Sequence, residues 1–316
     1  MQNIKSIWVL GIGGVGGYFG GRIAYALNDI NDGRQIYFIA RGQHLQKIQE
    51  TGLSLQRNDE TFICPPALAS ENMAGFPAPD LCLLCVKSYD LEDAVQSLSK
   101  YISDNTIIIP LLNGLDIYQR VRKIMDKGMV LPACVYITSY VEKPGKVVQN
   151  GPDGRVVLGW DPQFPSFDPC NLLAFSQEMG LDLNWSPNPY PSIWEKYLLV
   201  GSFALVTAAS GMSFGEALND SEGKANLTGI MKEIIELGQK QGIDLKMDLI
   251  ENTFTFMSRF PYDARSSYQR DLEQGRGKNE GDIFGATIIR MGKELGVPTP
   301  ITEKMIQRIE DLHPLA

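Results

Sequence analysis

The sequence predicts an α/β Rossmann-type N-terminal domain joined to an all-α C-terminal domain. Three observations predict it. Short apolar runs alternate with amphipathic stretches through the first half, a glycine-rich turn follows the first of these runs, and almost every segment beyond residue 191 reads as helix. The chain has 316 residues, about twice a usual domain, so each half is long enough for its own core. The boundary falls in Ser186-Pro187-Asn188-Pro189-Tyr190-Pro191, a stretch rich in breakers of helix and strand. It divides the chain into a dinucleotide-binding part, 1–188, and a helical substrate and catalytic part, 189–316.

In the first part, Ile7 to Gly11, Gln35 to Ala40, Leu81 to Val86 and Thr106 to Pro110 read as strands with helical segments between several of them. Parallel strands need crossover connections, and those are usually helical, so the alternation predicts a parallel sheet covered on both faces. From Met129 to Gly159 the texture changes to VLPACVYITSY, KVVQN and RVVLGW, broken by Pro144-Gly145 and Gly151-Pro152-Asp153-Gly154. These segments are expected to add antiparallel strands at the sheet's edge. Cys82 and Cys85 form a C-x-x-C inside the run Leu81 to Val86, where strand periodicity points them to opposite faces and a buried strand is the better reading.

Directly after the first strand comes Gly11-Ile12-Gly13-Gly14-Val15-Gly16, a G-x-G-x-x-G that opens into a helical stretch. Gly11 permits the tight turn, Gly13 lets the backbone approach a pyrophosphate, and Gly16 lets helix pack close to strand. The helix N-terminus then offers its N–H groups to phosphate. The second strand ends Ile39-Ala40-Arg41-Gly42, with an arginine where NAD sites usually carry a carboxylate. A guanidinium presents a planar fork to a 2′-phosphate, so NADPH/NADP is the expected cofactor.

In the second part, Ile193-Trp194-Glu195-Lys196 runs into fifteen uncharged residues, Tyr197 to Gly211, which predicts a buried helix with Lys196 near its charged end. A partly desolvated ammonium is a better proton donor, and hydride arriving at a ketone leaves negative charge on oxygen that such a donor can quench. Lys196 is the candidate general acid, against the plain alternative of a snorkelling surface lysine.

The formal charge of −8, with 29 Lys+Arg against 37 Asp+Glu, argues against a broad nucleic-acid or anionic-membrane surface. The N-terminus lacks a signal peptide's regions and no apolar run is long enough to span a bilayer, so a cytoplasmic protein is expected. The odd, scattered set of 5 cysteines implies no disulfide framework. His44 and His313 lie at opposite ends of the chain, and no metal site is expected.

Taken together, GIGGVGGYFGGRIA, ARGQHLQKIQETGL, VKSYDLEDAV, LLNGLD, IWEKYLLV, SSYQRDLEQGRGKNEGD and ELGVPTP resemble the ketopantoate reductase (2-dehydropantoate 2-reductase) family, in family order and across nearly the whole chain. The resemblance implies NADPH-dependent reduction of ketopantoate to pantoate, in pantothenate and coenzyme A biosynthesis, with a domain cleft closing over the substrate. It implies cofactor contacts from Gly11, Gly13, Gly14, Val15, Gly16, Arg41, Lys87 and Asn113, with Asn113 also touching substrate. It further implies Lys196 as general acid, Ser267 as a donor to the substrate carboxylate and Glu280 as an acceptor for the substrate hydroxyl.

Two departures stand out. Family members usually carry asparagines four and eight positions beyond the lysine, where this chain has Val200 and Ala204. Ungapped counting from Asp271 puts Asn279 at the glutamate position, whereas a one-residue insertion aligns Glu280 and the acid of Asp282. The alternatives are a reductase of another branched 2-oxo acid with a more apolar cleft, or an NADPH-binding sensor that turns nothing over. A homodimer through the C-terminal helices is an open expectation.

Overall fold

The computed structural model describes residues 4–275 and 277–313. Contacts divide the chain into two units. The first holds the residues up to Leu112 together with Ile117–Pro189; the second holds Asn113–Asp116 and the chain from Tyr190 onward.

The first unit is built on a six-stranded sheet of β1 (Ser6–Leu10), β2 (Gln35–Ile39), β3 (Leu68–Ser70), β4 (Leu81–Leu84), β5 (Ile107–Pro110) and β6 (Met129–Val130). The spatial order is β3-β2-β1-β4-β5-β6 and every neighbouring pair is parallel, which is the doubly wound Rossmann arrangement. β1, β4 and β5 are buried over their whole length. Burial on both faces is why they appear in the sequence as unbroken apolar runs rather than as alternation. The first helix, α1 (Gly14–Ile30), presses Phe19 and Ile23 into that core.

The segments after Met129 do not extend the sheet's edge with antiparallel strands. Only Met129–Val130 joins it, and in parallel. Ser139–Lys143 pairs with Lys146–Gln149, which runs parallel to Leu53–Arg57, itself hairpinned with Glu60–Cys64. A separate three-stranded sheet combines Ala133–Tyr136, Arg155–Leu158 and Asp182–Trp185. The expectation failed because the two-residue period of a strand fixes which side chains share a face but not which strand becomes its partner. The C-x-x-C reading also shifts: β4 ends at Leu84, so Cys85 lies past the strand. Burial raises the Cys85 thiol far above its ordinary range and Cys82 likewise, so neither is a ready thiolate.

The four-stranded sheet lies on α1. A Cβ on Gly14 would strike the Ser139 carbonyl, and one on Gly17 would strike the Val147 side chain. Part of the glycine run therefore serves sheet packing. Elsewhere in this unit Asp161, fully buried, accepts from Arg122, from the Tyr118 phenol at 2.8 Å and from Val130 N–H at 2.8 Å.

The second unit is helical. Tyr190–Ser210 forms its centre, with Ser221–Lys240, Ser267–Glu273 and Pro300–Leu312 packed around it. Trp194, Tyr197, Leu198, Phe203, Leu205 and Val206 are all buried, the outcome expected of a helix with no charged face. Its buried hydroxyls Ser202 and Thr207 donate back to the Leu198 and Phe203 carbonyls, so neither is stranded in the core. In the GVPTP stretch, Gly296 at φ 68° ends one helix and Pro300 starts the next. Glu233, buried, accepts from the Ile301 and Thr302 N–H groups and so satisfies donors that the last helix leaves unpaired.

Between Ser267–Glu273 and Thr287–Leu295 the chain makes a π-helical turn, Asp282–Ala286. The Tyr197 phenol donates to the Ile283 and Phe284 carbonyls within it, at 2.6 and 2.8 Å. Those bonds tie the residue beside Lys196 to the segment following Glu280.

Candidate functional site

In the first unit the site begins at the carboxyl end of β1. Leu10 pairs with Ile39 of β2 and with Leu84 of β4, so the residues that follow these strands emerge side by side. They include Gly11, Arg41 and Lys87. Gly11 adopts φ 89°, and a Cβ there would stand 2.8 Å from the Cys85 carbonyl oxygen, so the position excludes a side chain twice over. Gly16 backs onto Gly11 and Cys85, while Val15 is half-buried against the core. Gly13 is the opposite case: it is the N-cap of α1 and a Cβ there would meet nothing within 4 Å. No side chain caps that helix and no acidic residue sits in its first turn. The positive end of the helix dipole thus faces an open approach, the arrangement that holds an anion.

Arg41 is the N-cap of the helix Gly42–Thr51, its side chain 61% exposed. Its contacts are loose, 3.5 Å to Asp90 and 3.9 Å to Glu71. Lys87 is half-buried just past β4, at the start of the turn Ser88–Asp90. One residue that the sequence passed over as ordinary also belongs here. His44 Nδ1 accepts from Gly145 N–H at 3.0 Å, joining the helix after Arg41 to the turn of the second sheet. Burial pushes the His44 pKa down, opposed by the Ile12 carbonyl of the glycine loop. No local motif marks such a histidine, because its partner lies a hundred residues on.

In the second unit, Lys196 Nζ donates to Asn113 Oδ1 at 2.6 Å, although the two are 83 residues apart in sequence. Lys196 is half-buried and sits in the second turn of Tyr190–Ser210, inside the helix rather than at its tip. Asn113 is half-buried at the head of the four-residue segment that groups with this unit. Gly114 follows at φ 138°, a conformation only glycine takes readily. The segment ends at Asp116, which accepts from Arg290. Neither Asp116 nor Arg290 was singled out by the sequence, though Asp116 closes the LLNGLD stretch.

Glu280 is buried, 6% exposed, directly before the π turn. Asn279 is turned onto its own backbone, its Oδ1 accepting from Gly281 N–H at 2.9 Å. Of the serine pair, Ser266 does the capping: its Oγ accepts from Gln269 N–H at 3.1 Å and lies 3.0 Å from Thr207 Oγ1. Ser267 opens the helix and is exposed, its hydroxyl released from the capping job. Val200 and Ala204 follow Lys196 at one and two helical turns, half-buried and buried respectively. The Asn113 carboxamide accepts from the ammonium and so orients Nζ, which suits a group that must give up a proton.

A Rossmann sheet with an open glycine loop, joined to a helical unit that carries an oriented lysine, defines a class of two-domain dehydrogenases and reductases. Comparison with known proteins makes this specific. Residues 7–163 match the family model for ketopantoate reductase PanE/ApbA, and residues 190–313 match the model for its C-terminal domain. The chain is 27% identical over 303 residues to the uncharacterized oxidoreductase YkpB of Bacillus subtilis, covering 96% of this chain and 97% of that one. The crystal structure of a PanE/ApbA family ketopantoate reductase from Ralstonia eutropha JMP134 superposes with TM-score 0.86 at 26% identity, over 98% of this chain and 99% of that one. D-mandelate dehydrogenase, solved with NADH and anilino(oxo)acetate, shares the fold at TM-score 0.83 and 23% identity, over 97% of each chain. The chain belongs to the ketopantoate reductase family and is an oxidoreductase.

Proposed function

We propose that this protein is an NADPH-dependent reductase of a small 2-oxo acid, with ketopantoate as substrate and pantoate as product. The observation that carries the reading is the 2.6 Å hydrogen bond from Lys196 to Asn113. It sets a proton donor on a buried helix and orients it through the Asn113 carboxamide. The residues of the first unit fit a dinucleotide. Gly13 leaves room beside an uncapped helix N-terminus for the pyrophosphate, and exposed Arg41 can exchange two loose carboxylate contacts for a bidentate grip on a 2′-phosphate. Lys87 adds positive charge beside the same strand ends.

When bound, the nucleotide would supply the hydride that reduces the ketone. Lys196 then delivers a proton from Nζ to the carbonyl oxygen as charge develops there, and Asn113 holds the amine in line. Ser267 donates to the substrate carboxylate, and Glu280, next to the π turn, accepts from the hydroxyl. Buried Glu280 is a better candidate for that role than Asn279, whose carboxamide is engaged in its own turn.

A second reading is favoured by Val200 and Ala204. Apolar side chains one and two turns past the lysine would leave a polar substrate group unpaired, at a cost of about 1–3 kcal/mol each if buried. They suit a 2-oxo acid with a branched or aryl side chain and no further hydroxyl; the D-mandelate dehydrogenase of the same fold was solved with anilino(oxo)acetate. The deciding experiment follows oxidation of NADPH by the purified protein with ketopantoate and a panel of branched and aryl 2-oxo acids. Preference for ketopantoate supports the first reading, and preference for the unhydroxylated acids supports the second. Nucleotide binding without turnover of any acid would overturn both in favour of a sensor.

A further inference from the structure

The segment Asn113–Asp116 lies between two stretches of the first unit, Leu112 and Ile117–Pro189, yet groups with the helical unit. Both ends are held there by side chains. Asn113 accepts from Lys196 at 2.6 Å, and Asp116 Oδ2 accepts from Arg290 Nη2. Between the two anchors, Gly114 adopts φ 138° and Leu115 is buried.

Arg290 comes from Thr287–Leu295, the helix that continues from the π turn. Its Nη2 also reaches Thr287 Oγ1 at 3.3 Å, and its Nη1 lies 4.0 Å from Asp282 Oδ1. The guanidinium fork thus spans two carboxylates and a hydroxyl, a geometry an ammonium cannot reproduce. The Asp116 side chain is only 18% exposed, so the carboxylate end of the pair is sheltered from solvent, while the Arg290 side chain is 43% exposed. A glycine beside the Asn113 anchor would otherwise leave the segment many conformations, and only some bring the carboxamide to Lys196.

We propose that Arg290 is a positioning residue: its ion pair with Asp116 holds the Asn113–Asp116 segment on the helical unit and so presents Asn113 to the Lys196 amine. Arg290 acts through Asp116 and Asn113, and its effect on turnover rests on the reading of Lys196 as general acid.

The test uses the full chain with Arg290→Ala, Arg290→Lys and Asp116→Asn. Amide hydrogen exchange at residues 114–116 is expected to quicken at least ~10-fold in Arg290→Ala and Asp116→Asn, with the protection of Tyr190–Ser210 unchanged. Arg290→Lys is expected to restore only part of it. For the acid that the wild type reduces best, kcat is expected to fall about 10-fold. In an Asn113→Ala background, Arg290→Ala is expected to cost no further kcat, because the two substitutions break the same link.

Unchanged exchange at 114–116 would overturn the proposal, whatever the substrate. So would uniformly faster exchange across the helical unit, which would make Arg290 a general stabiliser. A full additional loss of kcat in the Asn113→Ala background would also overturn it. If the wild type reduces no acid, the functional reading fails, and the exchange measurement still decides whether Arg290 holds the segment.

Discussion

The two units assemble their candidate site residues over very different distances along the chain. In the first, Gly11, Gly13, Gly14, Val15 and Gly16 are consecutive or nearly so, and Arg41 and Lys87 each follow a strand of one parallel sheet. In the second, Lys196 meets Asn113 across 83 residues and Arg290 meets Asp116 across 174. A site built from one turn leaves its signature in the sequence because backbone geometry there demands particular residue types. A site built from distant side chains leaves no mark of which residue meets which, since lysine, asparagine and arginine are each at home on any surface.

The contrast can be broken most sharply at Lys196. Lys196→Ala is expected to lower kcat by about 10²–10⁴-fold, the usual worth of a general acid, while the Kd for NADPH measured by fluorescence stays unchanged. A parallel loss of nucleotide affinity would show that the chemistry and the cofactor grip are not divided between the units as argued.

Next in size is the buried cluster of the first unit. Asp161→Ala would strand Arg122, 6% exposed, without its carboxylate, at an expected cost of about 3–5 kcal/mol in urea unfolding. A loss below about 1 kcal/mol would mean that water reaches Arg122 and that the cluster does not hold the sheet's edge.

Arg41→Ala sharpens the comparison from the cofactor side. Losing a charge-assisted bidentate contact of about 1.5–3 kcal/mol should raise the KM for NADPH about 10- to 100-fold and leave that for NADH nearly unchanged. Equal effects on both nucleotides would remove Arg41 from the 2′-phosphate.

The smallest expected effect is at His44. Its pKa in the folded chain is lowered below the ordinary 6.5, chiefly by burial, so the unfolded chain binds a proton first as pH falls. Above pH 6.5 the group contributes no pH dependence; below it, stability should decline toward the folded pKa, with a slope of at most about 1.4 kcal/mol per pH unit. Urea unfolding at a series of pH values checks this. His44→Asn, which keeps an acceptor for Gly145 N–H, should flatten the slope just below pH 6.5, and an unaltered slope would assign it to other groups.

Much of the fold was legible. The parallel core followed from unbroken apolar runs, and the central helix of the second unit from its lack of any charged face. The second and third sheets were not legible, because Lys146–Gln149 carries no mark naming Leu53–Arg57 as its neighbour. The glycine loop was read with a function for each glycine, yet Gly14 also admits the Ser139 backbone, a role that only packing reveals. Similarly, the serine pair left capping and substrate binding unassigned until Ser266 took the cap and Ser267 stayed exposed.

By itself, then, the sequence determined the Rossmann sheet, the anion-ready turn and the buried lysine helix, since each follows from short-range steric and solvation demands that select residue type at fixed spacing. The tertiary structure alone decided that Lys196 meets Asn113, that Arg290 grips Asp116 and that Glu280 rather than Asn279 is buried. Those outcomes depend on which distant surfaces pack together, and the free energy of that packing is spread over the whole core rather than written at the residues it brings into contact.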